Sequence, residues 1–259
     1  MATIEIASVA GPYEVNTATC GDDPTEAIVV TDANLLFGMA VDLVRLMRIP
    51  ALVPPVVVVG VGYPTDDLDE ILRRRTTDFT PTEVSGWPGS GGSARFRTML
   101  REHVLPFVES VAPTVRALTL FGHSLGGMFS VTDWTAEDRL FDRYVISSPS
   151  LWWDDHALLR KRVPVPQAPA YLAIGSEETD AGRRREAAAL PEGDRWKPPA
   201  TYLDMVDDLL RFVACLTPAD DRSAPAVDII DGEFHATVPP LVFTRGLRRL
   251  LRGQDTPSR

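Results

Sequence analysis

Ser124 stands between Gly122 and Gly126 in the stretch Leu118 to Ser130, LTLFGHSLGGMFS. A β-branched, apolar run precedes it and a helix-like run follows. G-x-S-x-G between a strand and a helix places the serine on a sharp, strained turn, where flanking side chains would collide with adjacent backbone and glycine fits. Such a turn lifts the hydroxyl above the sheet edge and aims the free N–H groups of the next helix at it. No G-x-x-x-x-G-K-[ST] or G-x-G-x-x-G follows an early strand, so the nucleotide-binding alternatives lack their glycines.

A serine hydroxyl near neutral pH needs a base, held in the right tautomer by a third group. The chain has four histidines. His123 sits inside the turn and is expected to point elsewhere. His103 falls in an amphipathic helix as a structural or surface residue, and His156 comes too early for the order Ser, acid, His. His235, in GEFHATVPP beyond the last expected strand, is the expected base. The orienting carboxylate belongs at the end of the strand between them, in AIGSEETD. The spacing from Gly175 selects Glu178, with Glu177 and Asp180 in reserve. An oxyanion hole would combine the N–H of Leu125 with one from the loop after the third strand, read as GVGYP, making Gly62 or Tyr63 the second donor.

The elements that must hold these groups alternate. EAIVVTD, PPVVVVGVGYP, VRALTLFGHS, FDRYVISSPS, PAYLAIG and AVDII read as strands, with amphipathic segments between them. That alternation predicts a mostly parallel central sheet flanked by helices, and the continuous Val run predicts a strand buried on both faces. TDDLDEILRRRTTDFTPTEVSGWPGSGG reads as a long polar, turn-rich loop, and loops of this length are usually functional. Its run Arg73 to Arg75 is expected to be a solvated helix face.

At 259 residues, 44% hydrophobic and 24% charged, the chain is expected to form one domain over residues 1–259. The Pro-rich interruptions RVPVPQAPA and LPEGDRWKPPA are loop-sized. A net charge of −10 argues against nucleic-acid or anionic-membrane partners. Cys20 and Cys215 have neither disulfide-framework nor zinc spacing. The start MATIEIASVAGPYEV lacks a secretory pattern and no window approaches a membrane span, so a cytoplasmic location is expected, with an oligomeric state that the sequence leaves open.

TDANLLFGMAVDLVR, VVGVGYP, RRRTTDFTPT, GGSARF, LFGHSLGGMFS, SPSLWW and GEFHATVPP occur in an order and spacing that resembles the α/β-hydrolase superfamily. Within it the resemblance is to the esterase group that includes the ferric-siderophore trilactone esterases and, more distantly, esterase D and the mycolyltransferases. It implies a three-layer α/β-hydrolase fold, a triad of Ser124, an acid and His235, hydrolysis of a small-molecule ester, and no metal or organic cofactor. It also implies that Arg75, Asp78, Arg95 and Trp152 border the substrate. An acyltransferase using the same triad, or a silent binding protein on the same fold, are the alternatives.

Overall fold

The computed structural model describes residues 4–8, 11–189, 204–217 and 225–252. The expected Pro-rich loop at 190–200, with Lys197, lies outside them. Among the described residues, eight strands form one sheet in the order β1-β2-β4-β3-β5-β6-β8-β10. These are β1 (Ile4–Ser8), β2 (Glu14–Cys20), β3 (Glu26–Val30), β4 (Val56–Gly62), β5 (Ala117–His123), β6 (Arg143–Ser147), β8 (Ala170–Gly175) and β10 (Ala226–Ile230). β2 runs antiparallel to β1 and β4, and every other pairing is parallel. Two short strands, β7 (Val163–Pro164) and β9 (Leu216–Thr217), pair separately. The first hairpin, β1–β2, was not among the expected elements.

The helices are α1 (Ala33–Arg48), α2 (Leu68–Phe79), α3 (Ser93–Met99), α4 (Leu105–Val111), α5 (Leu125–Trp134), α6 (Trp153–His156), α7 (Asp180–Ala189), α8 (Met205–Cys215) and α9 (Pro239–Arg252). α1 and α9 cover one face of the sheet, and α3, α5 and α8 pack on the other. The Val run of β4 serves both cores, because successive strand side chains alternate: Val57, Val59 and Val61 join one cluster, Val56 and Val58 the other. This is the three-layer arrangement the sequence implies.

The stretch expected as a long loop instead contains α2. Asp67 caps it, its side chain accepting from the N–H groups of Asp69 and Glu70, and Glu70 pairs with Arg74 one turn on. The RRR run is likewise only partly a solvated face, because Arg75 turns inward and is 9% exposed.

β3 sends its chain to β4 on one side, while β5 lies on the other. Open α/β sheets bind ligands outside the carboxyl ends of their strands where the order reverses in this way. The ends of β3, β5, β6, β8 and β10 converge there.

Candidate active site

Ser124 joins β5 to α5 at φ 61 and ψ −120, a conformation that costs a non-glycine residue about 1–3 kcal/mol. Close packing keeps it there. A Cβ on Gly122 would lie 2.2 Å from the Gly126 carbonyl oxygen, and one on Gly126 would lie 2.5 Å from Thr31 Oγ1. The backbone on either side is tied to the end of β6: the Ser124 N–H donates to Ser147 O at 3.0 Å, and the Ser150 N–H donates to Ser124 O at 3.0 Å. The Leu125 N–H opens α5 and, by position, has no acceptor within the helix.

The acid and the imidazole are brought together by two loops in backbone contact. A Cβ on Gly175, at the end of β8, would lie 2.1 Å from the Glu233 carbonyl oxygen, so glycine alone lets the loop after β10 approach. The Glu177 N–H donates to that same oxygen at 3.0 Å. Across this seam Glu178 Oε2 lies 2.5 Å from His235 Nδ1. The other carboxylate oxygen, Oε1, accepts from Ser148 Oγ at 2.6 Å and from the Gly175 N–H at 2.9 Å. Arg183 on α7 stands 3.5 Å from Oε2. Glu178 is fully buried. Burial alone would raise its pKa, but the bonds from His235, Ser148 and Gly175 outweigh that and hold the carboxyl below its ordinary range. Glu177 and Asp180, the reserve acids, are engaged by Arg185 and Arg184.

The Ser124 hydroxyl has Ser150 Oγ as its hydrogen-bond partner, at 3.4 Å, so the structure does not join it directly to His235. The His123 ring, expected to point away from the serine, packs beside His235: its centroid lies 4.5 Å from that of His235, and its Nδ1 is 3.0 Å from Ser147 Oγ. Burial first, then the proximity of His235 and Arg75, hold the His123 imidazole well below the usual histidine range, so it stays neutral beside its partner. His156 pairs instead with Asp208 at 3.1 Å, and His103 is exposed.

The second expected oxyanion donor is corrected by strand order. Val56–Gly62 is the fourth strand, not the third, and β3 separates it from β5. The Tyr63 N–H is already given to Asn34 Oδ1 at 2.9 Å, and a Cβ on Gly62 would lie 2.5 Å from the same oxygen. The loop beside the serine turn is the one after β3, where Thr31 abuts Gly126. Asp32 there caps α1 in the left-handed region, φ 58, without a side-chain bond to the helix, leaving the Ala33 and Asn34 N–H groups in the first turn.

Arg75 explains why the Asp32 carboxylate does not cap its helix. The guanidinium grips it through Nε at 2.7 Å and Nη2 at 2.9 Å. Expected to border the substrate, Arg75 is thus spent on the β3 loop. Asp78 accepts from the Tyr63 hydroxyl at 2.9 Å, and burial raises its pKa. With Arg95, Tyr13 and Tyr63 it lines a cavity of about 460 Å³ that does not include Ser124. Trp152 follows Ser150 by two residues and packs on Trp87 and Trp153, with ring centroids 6.4 and 5.8 Å away. The serines at 147, 148 and 150 and Arg183 had no role in the sequence analysis. The cluster ISSPS at a strand end was the one available signal.

Among the described residues, no group of three or more His, Cys, Asp or Glu side chains is arranged to hold a metal ion, and no helix is long and apolar enough to cross a membrane.

A sheet of this order, with a strained serine after β5 and a carboxylate–imidazole pair on the loops after β8 and β10, defines the α/β-hydrolase class. The family model described as "Putative esterase" matches residues 52–200; the chain belongs to this family and is a carboxylic ester hydrolase. It is 27% identical over 250 residues to the siderophore triacetylfusarinine C esterase of Aspergillus fumigatus, covering 92% of this chain and 86% of that protein. It is 34% identical over 148 residues to the ferri-bacillibactin esterase BesA of Bacillus subtilis, covering 52% of this chain and half, 50%, of that one. The solved structure of siderophore hydrolase EstB from Aspergillus nidulans superposes with a TM-score of 0.79 at 22% identity, over 99% of this chain and 97% of that chain.

Proposed function

We propose that the chain is a serine esterase that hydrolyses a siderophore-type small-molecule ester through an acyl-enzyme on Ser124, with His235 as general base and Glu178 as the acid that orients it. The single observation that carries this is the 2.5 Å contact of Glu178 Oε2 with His235 Nδ1, on loops that end beside the Ser124 turn. A carboxylate at Nδ1 puts the ring proton there and leaves Nε2 as the acceptor.

The cycle then runs in two halves. The Ser124 side chain exchanges Ser150 for His235 Nε2 as partner and attacks the ester carbonyl as the imidazole takes its proton. The oxyanion forms against the Leu125 N–H, with the first turn of α1, at Ala33 and Asn34, as the second source of donors in place of Gly62 and Tyr63. Each such donor is worth about 3–4 kcal/mol at the transition state. His235 gives the proton to the leaving alcohol, and water repeats the sequence to free Ser124. Glu178 stabilises the imidazolium throughout.

The siderophore substrate is supported by the names of the relatives, and the exposed Trp87 packed on the half-buried Trp152, two residues from Ser150, suits a bulky one. We also hold to one domain over residues 1–259, supported by a sheet that takes strands from Ile4 to Ile230. A cytoplasmic location agrees with the two free cysteines, Cys20 and Cys215. Hydrolysis of p-nitrophenyl butyrate and of a trilactone siderophore by the parent and by Ser124→Ala tests the proposal. Loss of both activities in a folded variant is expected, and turnover by Ser124→Ala would overturn it.

A further inference from the structure

β6 ends at Ser147, and the turn that follows brings Ser148 and Ser150 beneath the site. Each of the three serines touches a different part of it. Ser147 holds His123, Ser150 holds Ser124, and Ser148 reaches Glu178 from the side opposite His235. Ser148 is fully buried and lies at φ 42, in the left-handed region that favours glycine. Its N–H is pinned to Ala173 O of β8 at 2.8 Å. A side chain other than hydrogen at such a position is held against backbone strain, which collects where a group has work to do.

We propose that Ser148 is a positioning residue for the acid, its hydroxyl fixing one carboxylate oxygen of Glu178 so that the other is presented to His235. This rests on the triad reading above. The Ser148 hydroxyl and the Gly175 N–H, at 2.6 and 2.9 Å, meet on Oε1, so rotating the carboxylate would break both bonds at once. Oε2 is thereby reserved for the imidazole. The hydroxyl also draws charge toward Oε1, which moderates the pull of Oε2 on the imidazole proton.

The charged and titratable groups around this carboxylate come from several elements. Arg183 of α7 faces Oε2 and is shared with Glu186 at 3.7 Å. His235 and, behind it, His123 and Arg75 approach from the sheet ends. On α8, whose Met205 N–H donates to the Glu178 carbonyl, Asp204 caps its own helix and Asp208 is tied to His156.

The pH profile of kcat/KM on p-nitrophenyl butyrate, measured on the full chain for the parent, Ser148→Ala and Ser148→Gly, tests this. Both variants are expected to lose activity about tenfold, equivalent to about 1.4 kcal/mol, and to move the acid limb to higher pH, because Oε2 keeps more charge facing the imidazole. Glycine relieves the strain at φ 42, so a purely structural role would leave Ser148→Gly as active as the parent. A parent-like acid limb in either folded variant overturns the inference, and Ser148→Gly carries the test if Ser148→Ala does not fold. Parallel assays of Ser124→Ala and His235→Ala separate the two failures. If these are inactive while the Ser148 variants keep the parent profile, only the role of Ser148 falls; if they are active, the triad reading falls first.

Discussion

Replacing Glu178 by glutamine changes one oxygen to an NH2 group, and the surroundings dictate where that group must go. Oε1 accepts from the Ser148 hydroxyl and from the Gly175 N–H. The Gly175 amide can only donate, so an NH2 at that corner would face another donor in a site that water does not reach. The glutamine therefore turns its NH2 toward His235. There it can only donate to Nδ1, which moves the ring proton to Nε2, the atom that accepts from Ser124 in the proposed cycle. The equivalent carboxylate-to-amide change in a serine protease triad lowers kcat by about 10⁴, or about 5.5 kcal/mol of barrier. An effect on the order of 10³–10⁴ in kcat/KM is expected here. Arg183, 3.5 Å from Oε2, loses a counter-charge but keeps Glu186, so stability should fall by only about 1–3 kcal/mol, the scale of one buried, charge-assisted bond. Steady-state assays on p-nitrophenyl butyrate with urea denaturation read both quantities. A folded Glu178→Gln within about tenfold of the parent would refute the tautomer argument and return the acid's role to Glu177 or Asp180.

Four further outcomes follow from the same geometry. Gly126→Ala should distort the serine turn, because its Cβ would stand 2.5 Å from Thr31 Oγ1; we expect a loss of about 1–3 kcal/mol in stability with a larger loss of activity, partly restored by adding Thr31→Ala. Arg75→Met leaves the buried Asp32 carboxylate without its cation and should cost about 3–5 kcal/mol by urea midpoint, whereas Arg45→Ala, which breaks an exposed pair with Asp42, should cost under about 1 kcal/mol. The Glu178 carboxyl is held below its ordinary range in the folded chain. Its stabilisation is therefore complete above the unfolded value of about 4.3 and is lost as pH falls through the folded value. Urea midpoints between pH 7 and pH 3 should decline more steeply for the parent than for Glu178→Gln. Asp78, whose pKa burial raises, has the opposite sign: the cost of burying its charge disappears as pH falls through its raised value, and the pH trend of Asp78→Asn should be correspondingly steeper than the parent's.

The alternation of apolar runs with amphipathic segments was enough to read a mostly parallel sheet between helices, and the Val run of β4 announced a strand with no solvent face. The Ser124 turn was legible because its physics is local. Gly122 is required by contacts that the turn and its helix create, with the Gly126 carbonyl oxygen and Ser130, although the atom that excludes a side chain at Gly126 belongs to Thr31. His235 and Glu178 were reached from chain order and from the glycine that permits the turn after β8, and the structure brings these two side chains together.

Other features were beyond local pattern. α2 went unread because its first turn is held by an Asp67 cap and its apolar face is thin, so its composition resembles a loop. The strand after which an oxyanion donor must be sought depends on counting strands across the sheet, and the unread first hairpin hid that Val56–Gly62 comes fourth and lies beyond β3. Arg75 looks like any arginine in a basic run until Asp32, 43 residues away, is folded against it. The same holds for Ser148 and Glu178, which are 30 residues apart.

The sequence by itself determined the class of fold, the strained serine and the set of groups from which a base and an acid could be drawn, since these follow from periodicity and from backbone sterics within a few residues. Only the tertiary structure decided which partners those groups have. A hydrogen bond or ion pair between distant residues is selected by the packing of the sheet and its loops, and nothing in the neighbouring residues records it.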